Sequence, residues 1–310
     1  MRTLFKKFLW LVLPKPIFYP LLNWFKDKRA FVRRKTRYIS SAVRAKFSPT
    51  PKKKLSRIMF GVHIAEHCNL NCAHCAHFSP LADKILMPVE DFRRDVERMA
   101  ELFNHECERF QIYGGEPLLH PEIITLIEIA RKNFTSGNIY ILSNGILLSQ
   151  QPPEFWKACH DNNIGIHVSH YNIDINLPQI VELAKQYDVQ FTCQSYFALA
   201  KFQTMHIDLS GKSNGRKNFY SCGDANNCII LGYGKLYTCP FAYTIRHFNK
   251  KFGQNIPVTP DDYIDIYEEN DPNKILLRLT QQIPLCSYCN FSNLGSAAWR
   301  RSNLEMSEWV

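Results

Sequence analysis

The sequence has no long, uninterrupted hydrophobic run. Near the N-terminus, the apolar stretch at residues 8–13 is broken by Pro-Lys-Pro at 14–16 before apolar residues resume at 17–25. A membrane-spanning helix needs about 20 consecutive apolar residues, so this region is too short to form one. A small-residue cleavage site after the basic N-terminus is also lacking, which argues against a secretory signal peptide.

Acidic residues are almost absent from the first part of the chain. Residues 1–57 contain 17 Lys or Arg side chains and one acid, Asp27, whereas the other 253 residues contain 21 basic and 27 acidic side chains. Apolar and aromatic residues mixed with basic ones favour a segment that lies on an anionic membrane surface. The alternatives are an arm packed on the body and a nucleic-acid tail, which no recognised nucleic-acid-binding module supports. The predicted location is the cytoplasm, with the arm on the inner face of its membrane.

Three cysteines lie within eight residues, at Cys68, Cys72 and Cys75, and a nearby fourth cysteine is lacking. A loop that converges three sulfurs fits an iron–sulfur cluster or a soft metal ion. A structural zinc site would need a fourth ligand, whereas a cubane held by three cysteines leaves one iron open to a substrate or cofactor. The alternatives are three unrelated thiols and a zinc site that borrows a neighbouring histidine. The candidate histidines are His67, His74 and His77.

Beyond the basic arm, strand-like and helix-like segments alternate, which predicts an α/β fold with a mainly parallel sheet. Predicted strands lie at 58–65, 110–113, 138–142, 165–169 and 189–195. Predicted helices follow Pro88 and open at Pro121, and two more span 153–161 and 177–187. After the fifth strand the periodicity blurs, and the pattern does not place a sixth.

A second motif, Gly114-Gly115-Glu116-Pro117, directly follows the apolar stretch at 110–113. Together with the cysteine spacing after the first strand, it resembles the radical S-adenosylmethionine (SAM) enzymes, although His74 stands where that family usually has an aromatic residue. The resemblance implies a partial (β/α)6 TIM-like barrel, a 4Fe–4S cluster on the three cysteines, and a 114–117 segment that holds the amino group of SAM. Glycine lets the backbone approach a ligand closely, and Glu116 can accept a hydrogen bond from an ammonium group.

In β/α barrels the chemistry lies at the C-terminal ends of the strands. The cysteine loop, the 114–117 segment, Asn144 and Ser169 all fall there. The resemblance implies that Asn144 and Ser169 contact the ribose or carboxylate of SAM; the alternatives are a turn cap and a solvated strand end. His170 and Tyr171 are candidate catalytic residues that contact the substrate, although a lone histidine is more often structural.

Five more cysteines lie between residues 219 and 295. An apolar hairpin with a glycine turn lies between two of them, and a Cys-x2-Cys pair follows much later. This arrangement resembles the Twitch extension, a shortened relative of the SPASM domain that binds an auxiliary 4Fe–4S cluster. The resemblance implies four ligands, Cys222, Cys239, Cys286 and Cys289. Cys228 has no counterpart and is interpreted as a packed core thiol, and zinc at the same four positions is the alternative.

These motifs divide the chain into four parts: a basic arm at 1–57, a radical SAM core at 58–218, a Twitch/SPASM-like domain at 219–295 and a tail at 296–310. The resemblance implies reductive cleavage of SAM to a 5′-deoxyadenosyl radical that abstracts hydrogen. A fully ligated second cluster would take up the remaining electron, which predicts an oxidoreductase that dehydrogenates its substrate.

The expected substrate is a sugar or polyol, linked to a nucleotide or lipid in view of the basic arm. The expected electron donor is of the flavodoxin or ferredoxin type. Two alternatives remain open at this point: a radical SAM maturase that modifies a peptide or protein, and a non-enzymatic adaptor stapled by zinc.

Overall fold

The computed structural model describes residues 56–171, 173–195, 201–204, 206–290 and 295–310. The predictions for the basic arm therefore lie almost wholly outside the described residues. Across the described ranges, no helix is both long and apolar enough to cross a membrane.

The described strands and helices alternate over the first part of the fold. The strands are β1 Met59–Ala65, β2 Glu106–Gly114, β3 Ser136–Ser143, β4 Ile164–His170, β5 Phe191–Ser195, β6 Lys201–Thr204, β7 Ile230–Gly232, β8 Lys235–Tyr237, β9 Tyr263–Asp265 and β10 Gly295–Ala298. The helices are α1 Val89–Leu102, α2 Ile123–Asn133, α3 Pro153–Asp161, α4 Leu177–Gln186, α5 Gly215–Ser221, α6 Pro240–Phe252 and α7 Pro272–Arg278.

Strands β1 to β5 are parallel and adjacent in chain order, and β7 pairs in parallel with the other edge of β1. The complete order is β5-β4-β3-β2-β1-β7-β8-β9, and the sheet is open rather than closed into a barrel. The predicted α/β class with a partial barrel is therefore confirmed. The sixth parallel strand, which the sequence pattern did not place, lies beside β1 rather than beyond β5.

The hairpin predicted in the second half is formed by β7 and β8, with Tyr233 and Gly234 in its turn. Gly234 has a φ of 75° and its amide donates to Asp95 Oδ2 at 2.7 Å, so helix α1 fixes the turn. The hairpin joins the sheet through the register pairs Gly61–Ile230 and Val62–Leu231. The segment predicted as a separate domain thus shares one sheet with the core.

The outer and inner faces of the sheet differ in polarity. Helices α1 to α4 cover the outer face. The buried core between the helices and the sheet includes Phe92 of α1 and the strand residues Phe110 and Ile141. Side chains alternate between the two faces of a strand, and the inner face carries polar residues such as Gln111, Tyr140 and His167. Strand β2 starts at Glu106, four residues earlier than predicted, because its charged first residues hide the apolar alternation.

Candidate functional site

The three cysteines of the first motif line one cavity at the C-terminal ends of β2, β3 and β4. Residues from three strand ends also line it, namely Tyr113, Gly114, Gly115, Leu142, Ser143, Asn144, Ser169 and Tyr171. The loop coils tightly, because Asn71, His74 and Phe78 all adopt positive φ angles that are uncommon for residues with side chains. The structure thus brings the three thiols to the edge of the sheet where the sequence predicted them.

Their surroundings make these thiols poor nucleophiles. Burial raises the pKa of Cys68 to about 12 and raises the pKa values of Cys72 and Cys75, and the neighbouring thiolates add to the effect for Cys68 and Cys72. A thiol becomes a reactive nucleophile when its pKa is lowered, not raised. A coordinating metal, by contrast, deprotonates its thiol ligands outright. The chemistry of this donor set fits metal ligation.

The arrangement also bears on the kind of metal. In the described part of the chain, no three His, Cys, Asp or Glu side chains are grouped closely enough to hold a single metal ion. Sulfurs on one tetrahedral zinc lie about 3.8 Å apart, given Zn–S bonds of about 2.3 Å. The three sulfurs of a cubane stand further apart because each binds a different iron. Three thiols that line one cavity fit a cluster in which each of them binds a different iron.

Two of the histidines considered as zinc ligands bind other groups. The ring of His74 lies 2.5 Å from the carbonyl of Glu308, and His77 Nδ1 lies 2.9 Å from His63 Nε2. Burial lowers the pKa of His77 to about 3, so this ring lines the cavity as a neutral imidazole.

The glycine pair anchors the cysteine loop to the end of β2. A side chain at Gly114 would place its Cβ 2.2 Å from the carbonyl oxygen of Ala65, and one at Gly115 would lie 2.1 Å from that of His67. The amide of Gly115 donates to Ala65 at 2.7 Å and that of Glu116 donates to His67 at 3.1 Å. The two glycines are therefore required because the end of β2 lies so close to the backbone of Ala65 and His67. This requirement is separate from any approach to a ligand.

Glu116 and Pro117 do not line the cavity. The buried carboxylate of Glu116 accepts hydrogen bonds from the Ser143 hydroxyl at 2.8 Å and the Asn144 amide at 2.9 Å. Burial raises its pKa to about 7 despite these donors. Glu116 therefore holds the end of β3 from behind, and the predicted bond to a SAM ammonium group would require these contacts to rearrange.

Asn144 links that strand end to the cysteine loop. Its Nδ2 donates to Asn69 Oδ1 at 2.7 Å and lies 3.6 Å from Cys68 Sγ, and its Oδ1 caps the turn through the amide of Ile146. Ser169 and Tyr171 reach the cavity, whereas His170 does not. His170 is buried on the opposite face of β4, with Nε2 3.3 Å from the carbonyl of Ile173. Strand alternation separates the two candidate catalytic residues.

Glu66, two residues before the first cysteine, was missed by sequence reasoning. Its buried carboxylate accepts hydrogen bonds from Tyr243 at 2.6 Å and Arg246 at 2.8 Å, and lies 2.8 Å from His247 Nε2. Burial alone would raise the pKa of Glu66, but the hydrogen bond from His247, the neighbouring His63 ring and the Arg246 charge hold it well below its usual range. The sequence gives little indication of these contacts, because the three main partners of Glu66 lie about 180 residues away, on α6.

The C-terminal tail was also missed. The cysteine loop forms an antiparallel bridge with it between Cys72 and Arg301, and the Trp299 indole donates to Cys72 Sγ at 3.1 Å. The only sequence signal was the presence of two tryptophans, Trp299 and Trp309, in the last twelve residues.

The four cysteines predicted as a second set converge at a different place. Cys222 follows α5 and Cys239 precedes α6, whereas Cys286 lies in a 3₁₀ turn and Cys289 directly follows that turn. Burial raises the pKa of Cys289 well above its usual range, and the negative charges of Cys286, Cys239 and Cys222 raise it further. Backbone amides of Asp224 and Ala225 donate to Cys222 Sγ, both at 3.3 Å. All four thiols therefore lie within electrostatic reach of one another.

Cys228 lies near this set, with its Sγ 3.8 Å from Asp224 Oδ1. Burial raises its pKa to about 12, and the Asp224 and Cys222 charges add to the shift while Arg109 opposes it. Its interpretation as a packed thiol stays a prediction.

Comparison with protein families identifies one domain of the chain. Residues 62–190 match the model of the Radical SAM superfamily. The chain therefore contains a radical SAM domain, a class that uses a 4Fe–4S cluster and SAM.

Curated relatives are more distant and match only in part. The chain is 32% identical over 101 residues to GTP 3',8-cyclase of Trichodesmium erythraeum, which covers 31% of this chain and 30% of the cyclase. It is 28% identical over 120 residues to molybdenum cofactor biosynthesis protein 1 of Bos taurus, covering 38% of this chain and 18% of that protein. It is 24% identical over 165 residues to the subtilosin biosynthesis protein AlbA of Bacillus subtilis, covering 52% and 34%. The chain thus spans about a third or less of each relative.

Solved structures resemble the chain at low sequence identity. BtrN in complex with AdoMet and 2-DOIA has a TM-score of 0.47 at 15% identity and covers 83% of this chain and 100% of its own. Native anSMEcpe with bound AdoMet has a TM-score of 0.46 at 16% identity and covers 74% and 89%. At this distance the likeness says nothing about the substrate.

Proposed function

We propose that this radical SAM enzyme dehydrogenates a sugar or polyol in a two-electron oxidation. Bound together, a 4Fe–4S cluster on Cys68, Cys72 and Cys75 and SAM would supply a 5′-deoxyadenosyl radical that abstracts hydrogen from carbon. The observation that carries the substrate class is the inner face of the sheet, which carries mainly polar side chains from the cysteine cavity towards the start of the strands.

This inner face is suited to a hydroxylated molecule. Below the cysteine cavity, which measures about 170 Å³, a second cavity of about 340 Å³ is lined by Asn138, Tyr140, His167, Gln190 and Thr192. Tyr140 and Leu142, like His167 and Ser169, are two residues apart on one strand and share its inner face. The nearest lining residues of the two cavities are therefore only about 7 Å apart along the strands. The second cavity alone falls within the range of about 300–1,000 Å³ typical of small-molecule sites.

The groups on this face are mainly uncharged hydrogen-bonding side chains. His167 Nδ1 lies 2.7 Å from the Thr192 hydroxyl, and burial lowers the pKa of His167 so that its neutral form is favoured. Arg109 lies on the same face, and its buried Nε has no hydrogen-bond partner among the described residues. Arg109 Nη2 already donates to the carbonyl of Asn227 at 2.5 Å, so only its Nε remains to be paired. Neutral donors and acceptors together with this one N–H match hydroxyl and phosphate groups better than they match an apolar substrate.

The second set of cysteines supplies the other half of the oxidation in this proposal. Cys222, Cys239, Cys286 and Cys289 would hold an auxiliary 4Fe–4S cluster with all four irons ligated by protein. Such a cluster has no site for substrate, so its role is to accept the electron left after hydrogen abstraction. The four cysteines lie outside the lining of the first cavity, which agrees with an electron-transfer role.

The test uses the full chain with reconstituted clusters, a strong reductant and SAM. Candidate sugars, cyclitols and nucleotide-linked sugars are added separately, and 5′-deoxyadenosine and substrate mass are followed. We expect equal amounts of 5′-deoxyadenosine and of a product lighter by two hydrogens. Formation of 5′-deoxyadenosine with every substrate unchanged in hydrogen content would contradict the dehydrogenation.

A second candidate, modification of a peptide, is favoured by the match to AlbA, which extends over 52% of this chain. The same assay with a precursor peptide in place of the sugar distinguishes the two. Turnover of peptide but not of sugars would replace the first proposal with the second.

A further inference from the structure

The tail from Trp299 onward lies against the cysteine loop along its length. The amide of Ala73 donates to the carbonyl of Arg300 at 3.0 Å, and the amide of Ser302 donates to that of Asn71 at 2.8 Å. Both bonds flank Cys72, so the middle cysteine of the loop is held in a short antiparallel pairing with the tail.

The far end of the tail is anchored in the core. Trp309 is fully buried, packs against Phe78 and Phe252, and donates its indole N–H to the carbonyl of Cys75 at 3.0 Å. Glu308 is buried as well and binds Arg300 through Oε1 at 2.5 Å. Because both ends of the tail are fixed, its contacts with the loop are part of the folded state rather than a chance surface contact.

Trp299 is the tail residue that touches a ligand sulfur. Its indole N–H has a single proton to donate, and this proton is directed at Cys72 Sγ at 3.1 Å. Hydrogen bonds to cluster sulfurs are among the factors that set reduction potential. A donor stabilises the reduced, more negative cluster over the oxidised one, so it raises the potential.

We propose that Trp299 is a positioning residue through which the C-terminal tail raises the reduction potential of the SAM-binding cluster. The inference rests on the proposed ligation by Cys68, Cys72 and Cys75. Burial of the loop disfavours added negative charge and lowers the potential. The indole bond offsets that effect and keeps the cluster within reach of its electron donor.

The experiment is an EPR-monitored redox titration of the reconstituted full chain, with iron content measured on the same samples. Trp299→Phe removes the donor and keeps an aromatic ring, and we expect a lower midpoint potential at unchanged iron content. Trp156→Phe is the matched control, because the buried Trp156 N–H has no hydrogen-bond partner among the described residues. It should titrate like the wild type. Equal potentials for wild type and Trp299→Phe at equal iron content would overturn the inference.

A second readout covers the case in which Trp299→Phe retains too little cluster to titrate. In wild-type protein labelled with 5-fluorotryptophan, the ¹⁹F resonance missing from apo Trp299→Phe should shift or broaden when the cluster is reduced. A resonance that is unchanged by reduction of the cluster would show that Trp299 lies away from the cluster and would contradict the inference. A wild-type chain that binds no iron at the first loop would instead refute the proposed function, so the two failures are distinguishable.

Discussion

The two sets of cysteines are built in opposite ways. The first takes three thiols from one eight-residue loop at the mouth of a cavity, with glycines and strand ends around it. The second takes four thiols from three separate segments at the ends of α5 and α6 and in a 3₁₀ turn. A three-ligand loop leaves a coordination position open for chemistry, whereas four ligands from distant segments close the site and tie the fold together.

The carboxylate of Glu66 connects the segments that carry the two sites. Glu66 lies two residues before Cys68, and its partners Tyr243, Arg246 and His247 lie on α6, the helix that follows Cys239 directly. The position of the first loop is therefore linked to the start of the helix at the second site.

The largest expected effect comes from removing one ligand at each site. Cys72→Ala should reduce 5′-deoxyadenosine formation to background, because the first cluster cannot be held by two thiolates. Cys286→Ala should keep uncoupled SAM cleavage but lose the product lighter by two hydrogens. Iron should fall in both from about eight to about four atoms per chain. The measurements are iron content and 5′-deoxyadenosine yield on reconstituted protein.

Cys193→Ala is the control, because this half-buried thiol on β5 belongs to neither set. It should keep both the iron and the activity. If Cys286→Ala lost SAM cleavage as completely as Cys72→Ala, the two sites would not have separate roles and the comparison would fail.

A smaller effect is expected from weakening the link between the sites. Glu66→Gln removes a buried charge and leaves Arg246 without its counter-ion. Removing one partner of a buried ion pair costs about 3 kcal/mol, at the low end because Arg246 is partly exposed. Urea denaturation of the apo chain should therefore show a lower free energy of unfolding.

The control for that change is Glu101→Gln. It removes an exposed carboxylate on α1 that lies 3.5 Å from Arg98 of the same helix. Exposed pairs contribute about 0–1 kcal/mol, so its unfolding curve should stay near that of the wild type. Equal destabilisation by the two substitutions would mean that Glu66 is not a structural link.

The sequence was most informative where the structure depends on local order. Short windows of sequence contain the spacing of Cys68 to Cys75, the Gly114–Pro117 segment and the periodicity of the helices. The parallel arrangement of β1 to β5 follows from the alternation of strands with helices along the chain. The position of β7 beside β1, the Glu66 contacts and the Trp299 bond to Cys72 join residues far apart in the chain. Such pairings are determined by tertiary packing, which no local pattern records.

His170 and Glu116 show a second reason why the structure differs from the prediction made from the sequence. Both lie beside residues that line the cavity, so their place in the sequence suggested direct contact with ligands. The direction of a side chain on a strand changes at every residue, and a shift of one position moves a group from the cavity into the layer behind it. Glu116 consequently binds Ser143 and Asn144 instead of facing the cavity.

The last expected effect is of similar size, concerns the first site alone and appears only as the pH changes. The pKa of Glu116 is about 7 in the folded chain because of burial, against about 4.5 as the ordinary value. Between these values the unfolded chain loses its proton first, so the stability contribution of Glu116 is present below pH 4.5 and is lost as the pH rises to about 7. The loss amounts to about 3 kcal/mol.

Glu116→Gln has no proton to lose at this position. Its free energy of unfolding relative to the wild type should therefore rise from pH 4.5 to about 7 and stay constant above that pH. Urea denaturation of both apo proteins at several pH values measures this difference directly, since effects of other groups cancel. Glu122→Gln, which removes an exposed carboxylate from the same segment, should give a curve parallel to the wild type. A constant difference for Glu116→Gln across this range would mean that Glu116 stays ionised, held by Ser143 and Asn144 strongly enough to outweigh its burial.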